Sequence, residues 1–496
     1  MGVVKKQAYK NTFISYLGMV IAYVNTVLLF PFFTNSSQYG FYNLIISMSV
    51  LYSLVASMGV PGIIARYFPV YRTDDGKHNG FIHWAFLWSI MGFIIASVLY
   101  IVFKPIILAS FIESSSLIVR YYYYLIPLSF FVVMFNYLEM TGRAVYQTIY
   151  SNFLQNILLR LLTSVYLLLI AFKWINFQEF VFLYIGSNGL ISLLLLISLL
   201  ATAKFKLAGA DYKFASIQKK EIINFGLFTA VSSAVYVLLQ KVDTLMLSAM
   251  TSDAVQGVYS WYFNIAIVIS VPAQALSRTT YAIVADAWKN KDMANIADVY
   301  SKTSIIQMVI GCLLFIGIIV NRENLYAIAK NKEFVNPEYF GLFVVIGLGF
   351  LVDITGGLNA YIITSSHKYK IFTAFIVAAV FFCVVMNYLL IPKYKGMGSA
   401  IAYLVTIVGI NIGTTVYIKY RFKMQPFSYK HFLVIAISVV SFLVGFYFWR
   451  MPNVLADIVI RSGVTTAIYG ALTYYFKISD DVNEKIDHTF ARFFKR

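Results

Sequence analysis

The chain has 496 residues, of which 60% are hydrophobic and only 12% are charged, whereas about 25% of residues are charged in a typical soluble domain. A water-soluble protein of this length cannot hide so much apolar surface, so the composition excludes a soluble enzyme, a disordered protein and a secreted disulfide scaffold. The net charge of +18 is explained by the excess of Lys and Arg in the cytoplasmic loops of membrane proteins, so it does not indicate a nucleic-acid partner.

Motifs for metal binding, nucleotide hydrolysis and disulfide formation are not found in the sequence. Cys312 and Cys383 both lie within apolar runs, and no HExxH motif or paired His/Cys spacing is present. The sequence also has no GxxxxGKS or GxxxxGKT loop, which excludes an ATP-driven motor of that type within this chain. We therefore predict a membrane protein that is not an enzyme, with no catalytic residue, no metal and no cofactor.

Apolar runs long enough to cross the hydrocarbon as helices follow one another along the whole chain. One crossing requires about 20 residues, and fourteen runs meet that requirement. The predicted spans are 11–33, 41–65, 81–103, 121–141, 148–172, 180–203, 226–248, 257–279, 303–320, 339–361, 370–391, 397–418, 431–449 and 454–476. Because fourteen is an even number, both termini are expected on the same side of the membrane.

The charges between the spans predict the orientation. Segments on the side of the N-terminus carry 26 Lys and Arg residues, and segments on the opposite side carry 9. Such an excess marks the cytoplasmic side, so both termini are predicted in the cytoplasm. The first run, 11–33, is too long for a signal-peptide core and is predicted to be an uncleaved span. The tail, 477–496, is predicted to form an amphipathic helix on the inner surface.

The first six spans and the next six begin at corresponding positions. A shift of 217 residues brings the first six starts to within a few residues of the starts of spans seven to twelve, and it places Gly40 and Tyr42 on Gly257 and Tyr259. Each copy has an even number of spans, so both copies enter the membrane from the same side. This pattern predicts parallel repeats with a cavity between them.

The predicted fold is an all-α polytopic membrane protein with about 14 transmembrane helices. Two parallel six-helix lobes are expected to form a V-shaped central cavity, and two further helices follow them. The predicted parts are an N-terminal lobe (1–210), a C-terminal lobe (211–425), two extra transmembrane helices (426–476) and a cytoplasmic tail (477–496).

Several local motifs, taken in order, resemble those of a known family. They are QYGFYNLI (Gln38 to Ile45), GVPGIIARYFP (Gly59 to Pro69), KVDTLMLSAMTSDAVQGVYS (Lys241 to Ser260) and NYLLIPKYKGMGSAIA (Asn387 to Ala402). These motifs, the span count and the two predicted lobes together resemble those of one bacterial family. It is the family of polysaccharide and O-antigen repeat-unit flippases, within the multidrug/oligosaccharidyl-lipid/polysaccharide exporter superfamily, and the resemblance covers essentially the whole chain.

The resemblance implies a substrate, a location and partners. Such a flippase moves undecaprenyl-diphosphate-linked oligosaccharide units across the bacterial inner membrane by alternating access, for O-antigen, capsule or exopolysaccharide synthesis. The implied partners are the lipid-linked glycan, membrane lipids, and a polysaccharide polymerase with its chain-length machinery. No nucleic acid is expected among them.

Positive charges inside the spans or at their ends are the predicted substrate-binding residues. A diphosphate cannot cross hydrocarbon unpaired, so a flippase needs cations in a hydrated cavity. Arg160 lies about 18 Å along the fifth span at 1.5 Å per residue, near the midplane, and Lys241 lies toward the outer side of the seventh. Three arginines near cytoplasmic helix ends complete the set: Arg66, Arg143 and Arg278. The alternative for these three arginines is that they are ordinary helix-end residues whose charged groups extend to water (snorkelling). The alternative for Arg160 is a structural pair with Glu139 or Asp353.

Two acidic residues, Asp243 and Asp353, lie well inside predicted spans. A carboxylate in the membrane can bind a proton or a sodium ion, so both are candidates for coupling transport to H⁺ or Na⁺. The alternative is that they balance the charge of Arg160 or Lys241. Asp243 and Lys241 are two residues apart, so they face different sides of a helix and do not pair within it.

Two other functions remain open from the sequence. A cation-coupled multidrug antiporter of the same superfamily would also have two similar lobes, although such proteins typically have twelve spans and acidic cavities. An integral membrane polysaccharide polymerase or glycosyltransferase usually needs a long extramembrane loop, and the longest loop here has only about twenty residues.

Overall fold

The computed structural model describes residues 2–111, 115–202, 205–206, 216–329, 331–480, 483–484 and 487. Nearly all of these residues are helical and none of them forms a β-strand, which confirms the predicted all-α fold. The chain divides into two compact units, Met1–Ser260 and Trp261–Arg496. The division into lobes at 210 and 425 and the central cavity stay predictions. Most of the predicted amphipathic tail, 477–496, lies outside the described residues.

The first unit contains the helices of the N-terminal half. Their bounds are α1 (Gly2–Tyr23), α2 (Phe30–Phe33), α3 (Ser36–Ala56), α4 (Val60–Tyr71), α5 (Phe81–Val102), α6 (Lys104–Ala109), α7 (Ser116–Arg120), α8 (Leu125–Ala144), α9 (Ile149–Phe153), α10 (Leu159–Ala171), α11 (Phe177–Leu200), α12 (Ser216–Met250) and α13 (Asp253–Ala266), whose last residues belong to the second unit. Two π-helical segments, Val24–Leu29 and Leu154–Leu158, connect α1 to α2 and α9 to α10.

The second unit continues with the remaining helices. Their bounds are α14 (Val271–Lys289), α15 (Met293–Val320), α16 (Arg322–Ala329), α17 (Phe340–Thr355), α18 (Asn359–Ser365), α19 (Tyr369–Phe422), α20 (Tyr429–Tyr447) and α21 (Val454–Tyr475).

Among the described residues, thirteen helical stretches are long and apolar enough to cross a membrane. The longest, Lys370–Phe422, has 53 residues, which is more than twice the length that one crossing requires. Lys395 within it has a φ of 50° and a ψ of −127°, so two helices meet at this residue. Counted in this way, the thirteen stretches account for the fourteen predicted spans, and the chain is a multi-pass membrane protein.

The second predicted span, 41–65, is wrong as a single helix. α3 ends at Ala56 and α4 begins at Val60, because Met58 and Gly59 have φ values of 45° and 78° that a right-handed helix does not allow. A Cβ on Gly59 would overlap with the carbonyl group of Gly226 in α12. Gly59 therefore has two roles: it adopts the positive φ of the turn, and it leaves room for α12 to approach closely.

The connection between α20 and α21 is held by a buried ion pair. Arg461 donates from Nε to Oδ2 of Asp457 at 3.0 Å and from Nη2 to Oδ1 at 3.1 Å. Its Nη1 donates to the carbonyl oxygen of Gly445 at 2.7 Å, near the end of α20. Asp457 also accepts from Asn324 Nδ2 at 2.6 Å and from the Met451 backbone N–H at 2.8 Å. The pair thus joins α16, α20, α21 and the intervening loop.

α3 and α13 cross at two glycines within the first unit. A Cβ on Gly40 would overlap with the carbonyl oxygen of Asp253, and a Cβ on Gly257 would overlap with the carbonyl oxygen of Ser36. Gly257 follows Gly40 by 217 residues, and Asp253 follows Ser36 by the same interval. The contact is therefore reciprocal between positions that the predicted repeat relates. Small residues allow such close approaches between membrane helices. We call this contact the glycine crossing.

Substitution of either glycine at the crossing should destabilise the protein. In Gly257→Ala the added methyl meets a backbone oxygen that no side-chain rotation can move, so the helices must separate, at a cost of about 1–3 kcal/mol. Gly186→Ala in α11 is the matched control, because a Cβ there meets no atom within 4 Å and Ala is the better helix former. Thermal unfolding in detergent measures both. Equal melting temperatures for the two variants would show that the helices do not approach this closely.

Candidate functional site

Arg160 lies in the first turn of α10, directly after the π-helical segment Leu154–Leu158. Its carbonyl oxygen accepts hydrogen bonds from Asn25 Nδ2 at 2.8 Å and from Ser164 Oγ at 3.0 Å. Ser164 Oγ also donates to Asn25 Oδ1 at 2.6 Å. Asn25 is buried and belongs to the other π-helical segment, Val24–Leu29. Such distortions are frequent at functional sites, and here the two of them are joined at Arg160.

Polar side chains continue this junction along α1 and α9. Asn11 Nδ2 donates to Thr148 Oγ1 at 2.8 Å, and Asn152 Nδ2 donates to the carbonyl oxygen of Asn11 at 3.0 Å. A Cβ on Gly18 would overlap with the backbone of Asn156. Interhelical hydrogen bonds and small residues are what holds membrane helices together, so the first span keeps the backbone that carries Arg160 in place.

The Arg160 side chain is half-buried among aromatic residues. Its guanidinium group lies within electrostatic range of Tyr42 on α3 and Tyr184 on α11, whose ring centroids are 5.3 Å apart. The rings of Phe30 and Phe180 lie 4.4 and 5.9 Å from that of Tyr42. Among the described residues, Arg160 forms no ion pair. The site therefore presents one positive charge and two phenol hydroxyls within apolar walls.

The acidic residues considered as partners of Arg160 have other partners. Glu139 Oε1 pairs with Arg143 Nη2 at 2.6 Å, one turn along α8. Asp353 on α17 accepts from Asn411 Nδ2 at 3.4 Å within the second unit. The Arg143 side chain is exposed, as a helix-end arginine commonly is.

Lys241 and Asp243 have different surroundings on α12. Asp243 is buried and accepts from the hydroxyl of Tyr259 at 3.2 Å. Lys241 is half-buried and forms no ion pair in the described part of the chain. Tyr259 is the repeat equivalent of Tyr42. The two tyrosines related by the 217-residue shift thus each lie near a charged residue, Tyr42 near Arg160 and Tyr259 near Asp243.

The other two predicted substrate-binding cations, Arg66 and Arg278, have no described contact with Arg160. Arg66 is exposed on α4, with its guanidinium carbon 4.3 Å from the ring centroid of Phe225 and 5.3 Å from that of Tyr67. Arg278 is in α14, and its side chain lies outside the described part of the structure. The contacts of the described residues do not join these cations to Arg160, and a cationic path shared by all five stays a prediction.

The second unit contains an apolar cavity of about 740 Å³ between α15, α17, α19 and α20. Apolar side chains form most of its wall, and its polar groups include Thr355, Asn411 and Thr415. Asn411 also contacts Asp353, and Asn359 Nδ2 donates to Thr415 Oγ1 at 3.0 Å. The cavity therefore joins an apolar space to a polar hydrogen-bonded network.

Two residues that shape these sites were not singled out from the sequence. Tyr184 follows Phe180 by one turn of α11, so it reads as part of an apolar helix face. Asn411 is a single polar residue in a long apolar helix. In the sequence, Tyr42 is recognisable only because the 217-residue shift places it on Tyr259. The presence of tyrosine at both positions could have indicated that this side chain has a role.

The fold defines a class of protein, a helical multi-pass membrane protein. Residues 5–279 match the family model for polysaccharide biosynthesis proteins. This match covers more than half of the chain, and the chain belongs to that family. No curated protein sequence matches it.

Solved structures resemble the chain in fold. The lipid II flippase MurJ in an inward closed conformation has a TM-score of 0.74 at 12% identity, covering 94% of this chain and 98% of that one. An inward-facing multidrug resistance MATE family transporter of the MOP superfamily has a TM-score of 0.64 at 14% identity, covering 83% and 94%. A MOP superfamily transporter from Pyrococcus furiosus, described as having a binding pocket of reverse polarity, has a TM-score of 0.51 at 14% identity, covering 85% and 93%. The chain therefore shares the fold of these solved structures.

Proposed function

We propose that the protein is a flippase for oligosaccharide repeat units linked to undecaprenyl diphosphate, acting by alternating access in a bacterial inner membrane with both termini in the cytoplasm. The observation that carries this proposal is Arg160, a cation inside a spanning segment that faces neutral groups. Such a charge is expensive in a membrane and commonly marks a functional site. Its planar guanidinium group matches the geometry of phosphate oxygens in two-point hydrogen bonds.

The neighbours of Arg160 suit the polar part of this substrate. The hydroxyls of Tyr42 and Tyr184 can donate to oxygens of the diphosphate or of the first sugar. Because Asn25 and Ser164 hold the Arg160 backbone, the cation is oriented before the substrate arrives, which reduces the entropy lost on binding.

The apolar cavity of the second unit suits the lipid part. A polyprenyl chain has no hydrogen-bonding group, so it is accommodated by a wall that is almost entirely apolar, such as that formed by Cys312, Phe315 and Leu348. The network that includes Asn411 and Asp353 lies beside this cavity. Coupling to H⁺ or Na⁺ through Asp353 or Asp243 is part of the proposal, as is delivery of the product to a polysaccharide polymerase and its chain-length machinery.

Deleting the gene tests the proposal. We expect the surface polysaccharide (O-antigen, capsule or exopolysaccharide) to disappear while lipid-linked repeat units accumulate on the inner side of the membrane, because their synthesis continues without export. Extraction of the lipid-linked glycan and staining of the surface polysaccharide measure the two effects, and the wild-type gene supplied in trans should reverse both. Unchanged surface glycan in the deletion strain would contradict the proposal.

A cation-coupled multidrug antiporter is the second candidate, because the fold also matches a MATE family transporter. The charge of the site disfavours this candidate, since Arg160 would repel a cationic drug in a low-dielectric environment. Increased drug sensitivity of the deletion strain, with normal surface polysaccharide, would favour the antiporter. A membrane polymerase or glycosyltransferase is not the class to which the fold points.

A further inference from the structure

Three polar residues in the middle of α12 are exposed, although this helix is long and apolar enough to span the membrane. They are Ser233, Tyr236 and Gln240, and the Tyr236 side chain is 52% exposed. Steps of three and four residues place them on one side of the helix. All three lie well within the apolar stretch Lys219–Met250, so they belong at the depth of the hydrocarbon and not in a loop. We call this side of α12 the polar face.

The opposite side of α12 is also exposed, but it is apolar. Phe228 and Val231 are 70% and 65% exposed. Val231 and Gln240 are nine residues apart, and at 3.6 residues per turn their side chains point in opposite directions. Lipid is the natural neighbour of large apolar side chains on a membrane helix, so the apolar side faces lipid and the polar face is turned away from it.

The side chains of the polar face have no partner in the described part of the chain. Ser233, Tyr236 and Gln240 form no hydrogen bond with any described residue. The adjacent Ser232 differs, because its Oγ donates to the carbonyl oxygen of Phe228 at 2.9 Å. Serine and glutamine in membrane helices ordinarily bond to neighbouring groups, and an unpaired polar group in hydrocarbon is unfavourable. The polar face is therefore satisfied by water or by a ligand.

The polar face carries no charge, which narrows the class of ligand. Lys241 follows Gln240 directly, and consecutive residues point 100° apart around a helix. Asp243 is buried and accepts from the Tyr259 hydroxyl. A diphosphate binds best to cations and a cationic drug binds best to carboxylates. Hydroxyl and amide groups instead both donate and accept hydrogen bonds, as the hydroxyls of a sugar do.

We propose that the polar face of α12 lines a water-filled cavity and binds the sugars of the transported glycan. This role rests on the proposed flippase function, and it separates recognition of the sugars from recognition of the diphosphate by Arg160. The ring of Tyr236 offers an apolar surface to the C–H groups of a sugar, and the Gln240 amide bonds to its hydroxyls. Ser233 and Gln240 are about 10 Å apart along the helix axis at 1.5 Å per residue, so the contact extends along the glycan.

Cysteine labelling tests whether the polar face is hydrated. With the protein in lipid nanodiscs, Ser233→Cys and Gln240→Cys should react with a charged methanethiosulfonate reagent. Val231→Cys is the matched control on the apolar side of the same helix, and its labelling should be lost because the reactive thiolate is disfavoured in lipid. The wild type gives the background from Cys312 and Cys383, which are both buried. Equal labelling of the three variants, or none in any of them, would overturn the proposal.

Binding of two lipids tests the role in sugar recognition. The probes are undecaprenyl diphosphate and the same lipid carrying the oligosaccharide of the producing strain, each titrated into the purified protein. Gln240→Leu should weaken binding of the glycan-bearing lipid by about two- to tenfold, which corresponds to one neutral hydrogen bond, and should leave binding of undecaprenyl diphosphate unchanged. Tyr236→Leu should behave in the same way. Arg160→Ala should weaken binding of both lipids.

Ser232→Ala is the matched control for binding, because this hydroxyl is already bonded within its own helix, and it should bind both lipids as the wild type does. If Gln240→Leu and Tyr236→Leu bound both lipids as the wild type does, or lost equal affinity for both, the sugar-binding role would be wrong. The flippase proposal would survive that result, since the wild type would still bind the glycan-bearing lipid. A wild type that binds neither lipid would instead overturn both proposals.

Discussion

Arg160→Ala is expected to lower transport of the lipid-linked glycan by roughly ten- to a hundredfold, because one hydrogen-bonded contact to a charged group contributes about 1.5–3 kcal/mol. The amount of folded protein should stay near normal, since no described carboxylate pairs with Arg160 and none is stranded by its removal. Arg160→Lys keeps the charge but loses the two-point geometry, so its transport should fall between those of the wild type and Arg160→Ala. Flipping in proteoliposomes and gel filtration of the solubilised protein measure the two quantities.

A surface cation provides the control for this experiment. Lys302 is exposed and pairs with Asp298 at 2.8 Å on the same helix face, so Lys302→Ala should change neither transport nor folding. If instead Arg160→Gln lowered the amount of folded protein, and the second substitution Asp353→Asn restored both folding and transport, Arg160 would be a structural residue. A well-expressed but inactive double variant would support the substrate site, provided that Asp353→Asn alone retains transport.

Arg461→Met is expected to destabilise the protein by about 3–5 kcal/mol, because it leaves the Asp457 carboxylate buried without its cation. The two side chains are only 3% and 5% exposed, so water cannot replace the lost interaction. The carbonyl oxygen of Gly445 loses its donor as well. Thermal unfolding in detergent should show a large decrease in melting temperature.

Arg450→Met is the matched control, since Arg450 is an arginine in the same connection but is 65% exposed and 3.9 Å from its partner Glu323. Exposed pairs of this kind contribute about 0–1 kcal/mol. Replacing both members of the buried pair, as in Arg461→Met with Asp457→Leu, should recover part of the stability by removing the stranded charge. Recovery should be incomplete because the Met451 N–H also loses its acceptor. Equal effects of Arg461→Met and Arg450→Met would contradict the buried network.

Hydropathy alone placed most of the spanning helices. The predicted spans 81–103 and 454–476 correspond to α5 (Phe81–Val102) and α21 (Val454–Tyr475). The agreement has a physical basis, because a helix that faces lipid satisfies its backbone internally and must be apolar along a length set by the bilayer. The location of both termini on one side and the repeat of six spans stay predictions.

Helix ends and breaks were harder to predict. The interruption at Met58 and Gly59 lies within a run that is apolar throughout, so hydropathy does not register it. The predicted loop between 391 and 397 is instead a change of conformation at Lys395. Hydropathy reports where the chain contacts lipid, whereas these features depend on backbone torsions and on the approach of a neighbouring helix.

The sequence by itself determined that the chain is embedded in a membrane and where most of its apolar helices lie. Only the tertiary structure decided that Gly40 and Gly257 meet each other, that Asn411 on α19 contacts Asp353 on α17, and that Arg160 lies near tyrosines of two other helices. The hydropathy of a segment is the sum over its own residues, so the sequence of that segment is sufficient to predict whether it contacts lipid. The partner of a charge or a glycine depends on which helix faces come together, often between residues more than a hundred positions apart, and that information exists only once the helices are packed.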